Sequence, residues 1–305
     1  MLVANGIRKS TSKSYASSQN RFLSFCDSLR IKALPTSEKT ILTFTAYLYK
    51  CGLTPSAVNG YLSAIRNLNI INGHSVPEFR SPRVKLALKA IMQQAKQPTK
   101  KLPLTFEKLC QLWPTICAAK YSIMWQALIS LAFYAGLRCA EYTPSHDFSP
   151  GPFINQVTFS SDGKILNYKI YRTKTKLHGF SCQLACSKSN ICARCTMVTY
   201  LGMRSRSNSV SSSSQLFVKG QQVVTSAQVN KFIKQTVAAH GWDSSCYSAH
   251  SLRAGAATTA ARAGFKEWEL KSLGGWSSSV YMSYIRDSNQ HTASFPRRMA
   301  RADSQ

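Results

Sequence analysis

The sequence predicts a mainly α-helical chain of two domains that carries one small antiparallel β-sheet. Apolar residues recur at helical spacing through the first hundred positions. Residues 96–103 interrupt that pattern with two prolines, three lysines and no periodicity, and read as a linker. Between residues 154 and 185 the texture changes to short runs rich in β-branched and aromatic residues, divided by turn signals. The expected division is a helical domain over 1–97, a linker over 98–103 and a second domain over 104–305.

In the first domain Tyr15, Phe22, Phe25, Cys26 and Leu29 fall on one helical stripe. Pro35-Thr36-Ser37-Glu38 is a stop followed by an N-cap, and Ile41, Phe44, Thr45 and Leu48 share a face of the helix it opens. Cys51-Gly52 ends that helix. Thr54-Pro55 opens the next, with proline at the first helical position, where its missing N–H is no loss. Val58, Leu62, Ile65 and Leu68 form its stripe. A fourth helix is expected from 82 to about 95, with Val84, Leu88 and Ile91 inward. Four short helices on short loops make a compact bundle.

The second domain is expected to begin with helices over 105–112 and 121–135. Leu128, Ile129, Leu131, Ala132 and Phe133 leave the second of these no polar face, so it should be buried all round. Strands are expected over 154–159, 165–172 and 180–185, with turns at Ser161-Asp162-Gly163 and His178-Gly179. A helix over 195–204 follows, then a mobile serine-rich loop over 207–214. Next come a short hairpin around Gly220 and a helix capped by Ser226 that runs to about His240. Residues 250–286 read as three helices broken at Gly264 and Gly274-Gly275.

Lysine and arginine number 39 against 12 aspartates and glutamates, a formal net charge of +27 spread along the whole chain. Such a field attracts polyanions and speeds their capture. Nucleic acid is the natural partner, because each neutralised phosphate releases a counterion. No apolar run reaches membrane-spanning length, and no signal-peptide core is visible at the start, so an intracellular protein with no membrane partner is expected. Ten cysteines are then expected to be thiols. Cys26, Cys51, Cys110, Cys117, Cys139 and Cys246 are scattered and expected to behave as small hydrophobes. Cys182, Cys186, Cys192 and Cys195 cluster; a Cys-x-x-Cys with two nearby thiols is a candidate structural zinc site.

The residues able to carry chemistry are dispersed. His250 and Arg253, three apart at the start of a helix, point to one side, beside backbone N–H groups that favour an anion. Ala254-Gly255-Ala256-Ala257 behind them allows tight packing. Arg138 follows a buried helix that ends in Gly136; on its own it would complement the helix dipole, but Glu141 three residues on can also orient its guanidinium. Lys174 closes a strand in the run 171–176. Trp276 follows Gly274-Gly275, and its indole N–H is a donor only. Tyr284 follows later, with Tyr281 as a nearby competitor. Two arginines, a lysine, a histidine, an indole and a tyrosine are the groups needed to hold a phosphodiester, attack it covalently and protonate the leaving oxygen.

The runs Gly136-Leu137-Arg138-Cys139-Ala140-Glu141 and His250-Ser251-Leu252-Arg253-Ala254-Gly255, with Thr173-Lys174-Thr175, Trp276 and Tyr284, resemble the tyrosine recombinase (phage integrase-like) family. The resemblance spans nearly the whole chain. It implies a SAM-like, core-binding helical domain followed by a catalytic domain that together clamp double-stranded DNA. It implies Arg138 and Arg253 on the non-bridging oxygens, His250 as base or hydrogen-bond partner, Trp276 on a phosphate oxygen and Tyr284 as nucleophile. Lys174 would be the general acid on a β-hairpin, with Lys176 in reserve. The product would be a 3′-phosphotyrosyl bond and a free 5′ hydroxyl, formed without ATP or a catalytic metal. The interval from Trp276 to Tyr284 is one residue shorter than in typical bacterial and phage relatives and looks like that of Crypton- and DIRS-type mobile-element recombinases. The resemblance further implies a homotetramer on paired sites, and a nuclear location in a eukaryote. Two alternatives stay open: a DNA-binding protein that kept the fold and lost catalysis, and an enzyme similar to type IB topoisomerases.

Overall fold

The computed structural model describes residues 6–95, 101–145, 151–171, 178–206 and 210–285. The chain divides into two compact units, Met1–Pro98 and Thr99–Gln305. The first holds α1 (Lys9–Ser28), α2 (Glu38–Lys50), α3 (Pro55–Ile71) and α4 (Pro82–Gln94). Side-chain oxygens open three of them: Ser37 accepts from the Thr40 N–H, Thr54 from Ala57 and Ser81 from Val84. Phe22, Phe25, Ile41, Phe44, Leu48, Val58, Leu62, Ile65 and Val84 make the core. Buried Asn69 ties α3 to the turn before α2. It accepts from the Thr36 N–H at 2.9 Å and donates to the Thr36 hydroxyl at 2.8 Å.

The second unit opens with α5 (Phe106–Ala118) and α6 (Ser122–Tyr134). The α5 helix continues past Leu112, where sequence reading ended it, and contains Pro114. Nine of its residues make α6 buried on nearly every side, as its composition requires. Strands β1 (Val157–Phe159), β2 (Ile165–Ile170) and β3 (Phe180–Ala185) form an antiparallel sheet in that order, with Val157 opposite Tyr168 and Tyr168 opposite Cys182. Residues 154–156, read as strand, are instead a 3-10 turn. Part of the serine-rich run, residues 210–214, lies within the described residues. Ser211 and Ser214 bond each other, and the Ser212 and Ser214 carbonyls accept the Asn155 and Ile154 N–H groups at 2.9 Å.

α7 (Ala193–Ser205), the hairpin β4 (Val218–Lys219) and β5 (Gln222–Val223), and α8 (Ser226–Ala239) follow. Thr225, not Ser226, caps α8: its hydroxyl accepts from the Gln228 N–H, and the Gln228 side chain reaches back to the Thr225 N–H. The last helices are α9 (His250–Arg262) and α10 (Glu267–Leu273). The third helix expected there is only a 3-10 turn, Ser279–Ser283. Gly275, at φ +63, redirects the chain, and Ser278 at the start of the turn makes no side-chain cap bond, so no longer helix is nucleated there. Of the six scattered cysteines only Cys26 is buried; Cys51, Cys110 and Cys117 are exposed, so they are not core hydrophobes. Among the described residues no helix is long and apolar enough to cross a membrane.

Candidate active site

The site is assembled where the end of α6, the start of α9 and the two turns after α10 meet. Gly136 has φ +56, a conformation side chains resist, and it turns the chain sharply after α6. A Cβ there would only touch Gly274 Cα, at 3.4 Å, so the backbone conformation and not space calls for glycine. The turn delivers Arg138, extended at φ −76 and ψ 150, to a 3-10 turn at Cys139–Glu141. Glu141 grips it twice, accepting the Arg138 backbone N–H at 2.7 Å and the guanidinium Nη1 at 2.8 Å. The sheet fixes Glu141 in turn, since the Tyr168 hydroxyl donates to its carbonyl at 2.7 Å.

Arg253, the fourth residue of α9, is 0% exposed. Nη1 donates to the Gly136 carbonyl and Nη2 to the Gly274 carbonyl at 3.1 Å, while Glu141 Oε2 lies 3.8 Å from Nη1. Its guanidinium carbon stands 4.2 Å from the centroid of the Trp276 ring and 5.5 Å from that of Tyr284. Burial, and then the like charge of Arg138, push the Arg253 guanidinium down to about 10 against the opposing pull of Glu141 and Tyr284. It therefore stays charged at neutral pH. Arg253 Nε and Trp276 Nε1 are buried with no hydrogen-bond partner among the described residues. Buried donors are nearly always paired, so two orphaned donors in adjacent side chains suit an anion rich in acceptor oxygens.

Small residues make this approach possible. A Cβ on Gly255 would run into the Leu104 carbonyl, and one on Gly274 would strike the Trp276 ring. The Leu104 N–H in turn donates to the Ser251 carbonyl at 2.9 Å, which locks α9 against the strand-like lead into α5.

Tyr284 ends the 3-10 turn after Trp276 and is half-buried. Its backbone is tethered at both groups: the N–H donates to the Tyr281 carbonyl at 2.9 Å, and its carbonyl accepts from Thr258 at 3.3 Å. Its ring centroid lies 5.0 Å from that of His250 and 5.7 Å from that of Trp276. His250 and Arg253 thus flank the same tyrosine, as their spacing requires, but at different depths: His250 is exposed and Arg253 is in the core. Tyr281 is buried in an apolar cluster with Ala257, Ala260, Leu270 and Trp276. Burial also drives Tyr142 and Tyr168 well above the usual phenol range, which makes poor nucleophiles of both.

Arg138, His250, Arg253, Trp276 and Tyr284 therefore converge, and Glu141 links the two guanidinium groups. Lys174 and Lys176 lie outside the described residues. The carbonyls of Gly136 and Gly274, which hold Arg253, were not foreseen as functional groups. Their signal was present in the glycines that precede Arg138 and Trp276.

Of the four clustered cysteines, the Sγ atoms of Cys186, Cys192 and Cys195 all lie within 4.8 Å of one another. Cys182 does not belong with them. It is buried in the sheet opposite Tyr168, and four residues of extended chain, about 13 Å, separate it from Cys186.

In sequence the chain matches no family model. It likewise matches no curated protein. Solved structures share its fold. The Tn1549 transposon integrase in complex with transposon right end DNA is 13% identical, with 97% of this chain and 94% of that chain covered and a TM-score of 0.65. A lambda integrase dimer bound to a core site is 14% identical over 95% and 93%, with a TM-score of 0.64. The XerH site-specific recombinase bound to its difH substrate is 17% identical over 93% and 79%, with a TM-score of 0.61. The chain has the tyrosine recombinase fold, mainly helical with a small antiparallel sheet.

Proposed function

We propose that this protein is a site-specific DNA recombinase that breaks and rejoins strands through a 3′-phosphotyrosyl intermediate. One observation carries the reading: the Tyr284 ring sits 5.5 Å from the buried guanidinium of Arg253 and 5.0 Å from the ring of His250 in the same chain. One carboxylate, Glu141, lies between two guanidinium groups, which leaves a surplus of positive charge for a phosphate.

In the proposed reaction Arg138 and Arg253 take the non-bridging oxygens, with the Trp276 N–H as a further donor. Negative charge grows on those oxygens in the transition state, where fixed donors matter most. The Tyr284 oxygen bonds to phosphorus as the bond to the 5′ oxygen breaks. The phenolic proton passes to His250 or to solvent, and Lys174 protonates the departing 5′ oxygen. The phosphotyrosyl bond conserves the energy of the broken phosphodiester, so rejoining is the same step reversed with a new 5′ hydroxyl. The charge of +27 supports DNA as the partner, as does the DNA bound in the structures of similar fold. The short interval from Trp276 to Tyr284 supports a mobile-element enzyme of Crypton or DIRS type. It would work as a tetramer on paired sites inside the cell, in the nucleus of a eukaryote.

The test is covalent trapping on nicked suicide DNA. The wild type is expected to form an adduct that survives denaturation, and Tyr284→Phe to form none. An undiminished adduct in Tyr284→Phe removes Tyr284 as nucleophile. Specific binding without any wild-type adduct would instead mark a catalytically inactive DNA-binding protein, and plasmid relaxation without sequence preference a topoisomerase.

A further inference from the structure

We propose that Cys186, Cys192 and Cys195 form a zinc site that staples the end of β3 to the start of α7. The distances carry it. Cys186 Sγ lies 3.6 Å from Cys195 Sγ and 3.8 Å from Cys192 Sγ. Thiolates bound tetrahedrally at about 2.3 Å from Zn²⁺ sit on an edge of about 3.8 Å. A disulfide would instead draw one pair to about 2.0 Å and leave the third thiol over. Three thiols, all within 4.8 Å of one another and with two of the separations near that edge, fit one small soft cation.

The surroundings suit the charge. Cys192 is the N-cap of α7, and its sulfur accepts the Cys195 N–H at 3.4 Å, a bond that steadies a thiolate. Arg194 stands beside the group, with Nη1 3.9 Å from Cys195 Sγ. It is held there by the Gly163 carbonyl, which accepts from Nε at 3.0 Å and Nη2 at 2.7 Å. Three thiolates on Zn²⁺ carry a net charge of −1, which this guanidinium offsets. Cys186 is exposed, so solvent could supply the fourth ligand. Binding releases the three thiol protons to solvent.

The site lies apart from the candidate active site but is joined to it through packing. The Thr196 hydroxyl, one turn into α7, meets Ser130 of α6 at 2.8 Å, and α6 ends at the turn that delivers Arg138. The role proposed for the metal is to hold the end of β3 and the start of α7 together.

The full chain, prepared under reducing conditions and stripped with a chelator, is to be titrated with Zn²⁺ and separately with Co²⁺. One equivalent per chain is expected, with a thiolate-to-cobalt charge-transfer band and a higher melting temperature for the loaded protein. Cys186→Ser, Cys192→Ser and Cys195→Ser should each lose stoichiometric binding, and Cys182→Ala should keep it. Should the serine variants fold poorly, alkylation of the wild type decides: zinc is expected to protect Cys186, Cys192 and Cys195 and to leave Cys51, Cys110 and Cys117 reactive. Absence of bound zinc in the wild type, retention in the Cys192→Ser/Cys195→Ser double variant, protection at other cysteines, or a disulfide within the cluster of reduced protein would each overturn the site. Metal content is read without DNA, so it stands or falls independently of recombinase activity.

Discussion

The guanidinium carbon of Arg253 stands 4.2 Å from the centroid of the Trp276 ring, and each of the two residues keeps one buried N–H without a partner among the described residues. The indole therefore offers two separable things, an aromatic face for the guanidinium and a donor for an anion. Trp276→Phe keeps the face and removes the donor. Its cleavage rate is expected to fall by about 10²–10³, the usual loss for one transition-state donor, with thermal stability close to wild type. Trp276→Ala should in addition lose about 3–5 kcal/mol of stability, because it empties the space between Tyr281 and Tyr284. Single-turnover cleavage and thermal melts separate the two, and a Trp276→Phe protein of full activity would reduce the indole to packing.

The two arginines should divide between catalysis and stability according to depth. Arg253→Met leaves the Gly136 and Gly274 carbonyls without their donor and costs about 3–5 kcal/mol. Arg138 is partly exposed, and Arg138→Met leaves Glu141 near Arg253, so its cost in a urea melt should stay below about 2 kcal/mol. Both variants are expected to lose the covalent adduct. Equal stability losses would contradict the depth argument.

The depressed proton affinity of Arg253 has a sign. The unfolded chain holds this proton up to the ordinary guanidinium range, whereas burial lets the folded protein release it lower, at about 10. Between those values the unfolded state binds more protons, so this group's contribution to stability rises with pH there. The phosphate clamp moves the opposite way. It is intact well below 10 and is lost as pH rises through it. Wild-type adduct formation on DNA with an activated leaving group, measured by rapid quench, is expected to decline above about pH 10.

Glycine at 255 is a matter of space. Gly255→Ala drives a methyl group into the Leu104 carbonyl and should destabilise the protein by about 1–3 kcal/mol or more. Gly202, in the interior of α7, has nothing near a built Cβ, and Gly202→Ala should stabilise by up to about 1 kcal/mol. Thermal melts of the pair test whether close approach, and not helix propensity, decides the first position.

Local physics explains what was readable beforehand. Ser37 and Thr54 cap helices because a hydroxyl and a periodic apolar stripe fall within a few residues of each other. Arg138 and Glu141 were paired in sequence for the same reason. The depth of Arg253 was not readable. It depends on carbonyls 117 and 21 residues away that meet only in the fold. Cys182 stands near the other three thiols in sequence, but a strand carries it away from them. The final helix is only a 3-10 turn because the chain reverses at Gly275 and the uncapped stretch after it is too short to carry the apolar spacing from Val280 to Ile285 into a helix.

Lys174 is the proposed general acid, and chemistry can test it although it lies outside the described residues. The connection it belongs to leaves β2 after Ile170 and enters β3 at Phe180, and the Phe180 ring comes to 3.2 Å of a Cβ built on Gly275, next to Trp276. Both ends of the connection are therefore anchored beside the site. An alkoxide leaves poorly without a proton, whereas a thiolate leaves well. Lys174→Ala should lose about 10²–10⁴ in cleavage of ordinary DNA and regain near wild-type rates on DNA with sulfur in place of the scissile 5′ oxygen. Lys176→Ala should cleave both at normal rates. If sulfur rescues Lys176→Ala and not Lys174→Ala, the acid is Lys176. If Lys174→Ala is equally slow on both substrates, the ammonium binds phosphate and does not donate its proton.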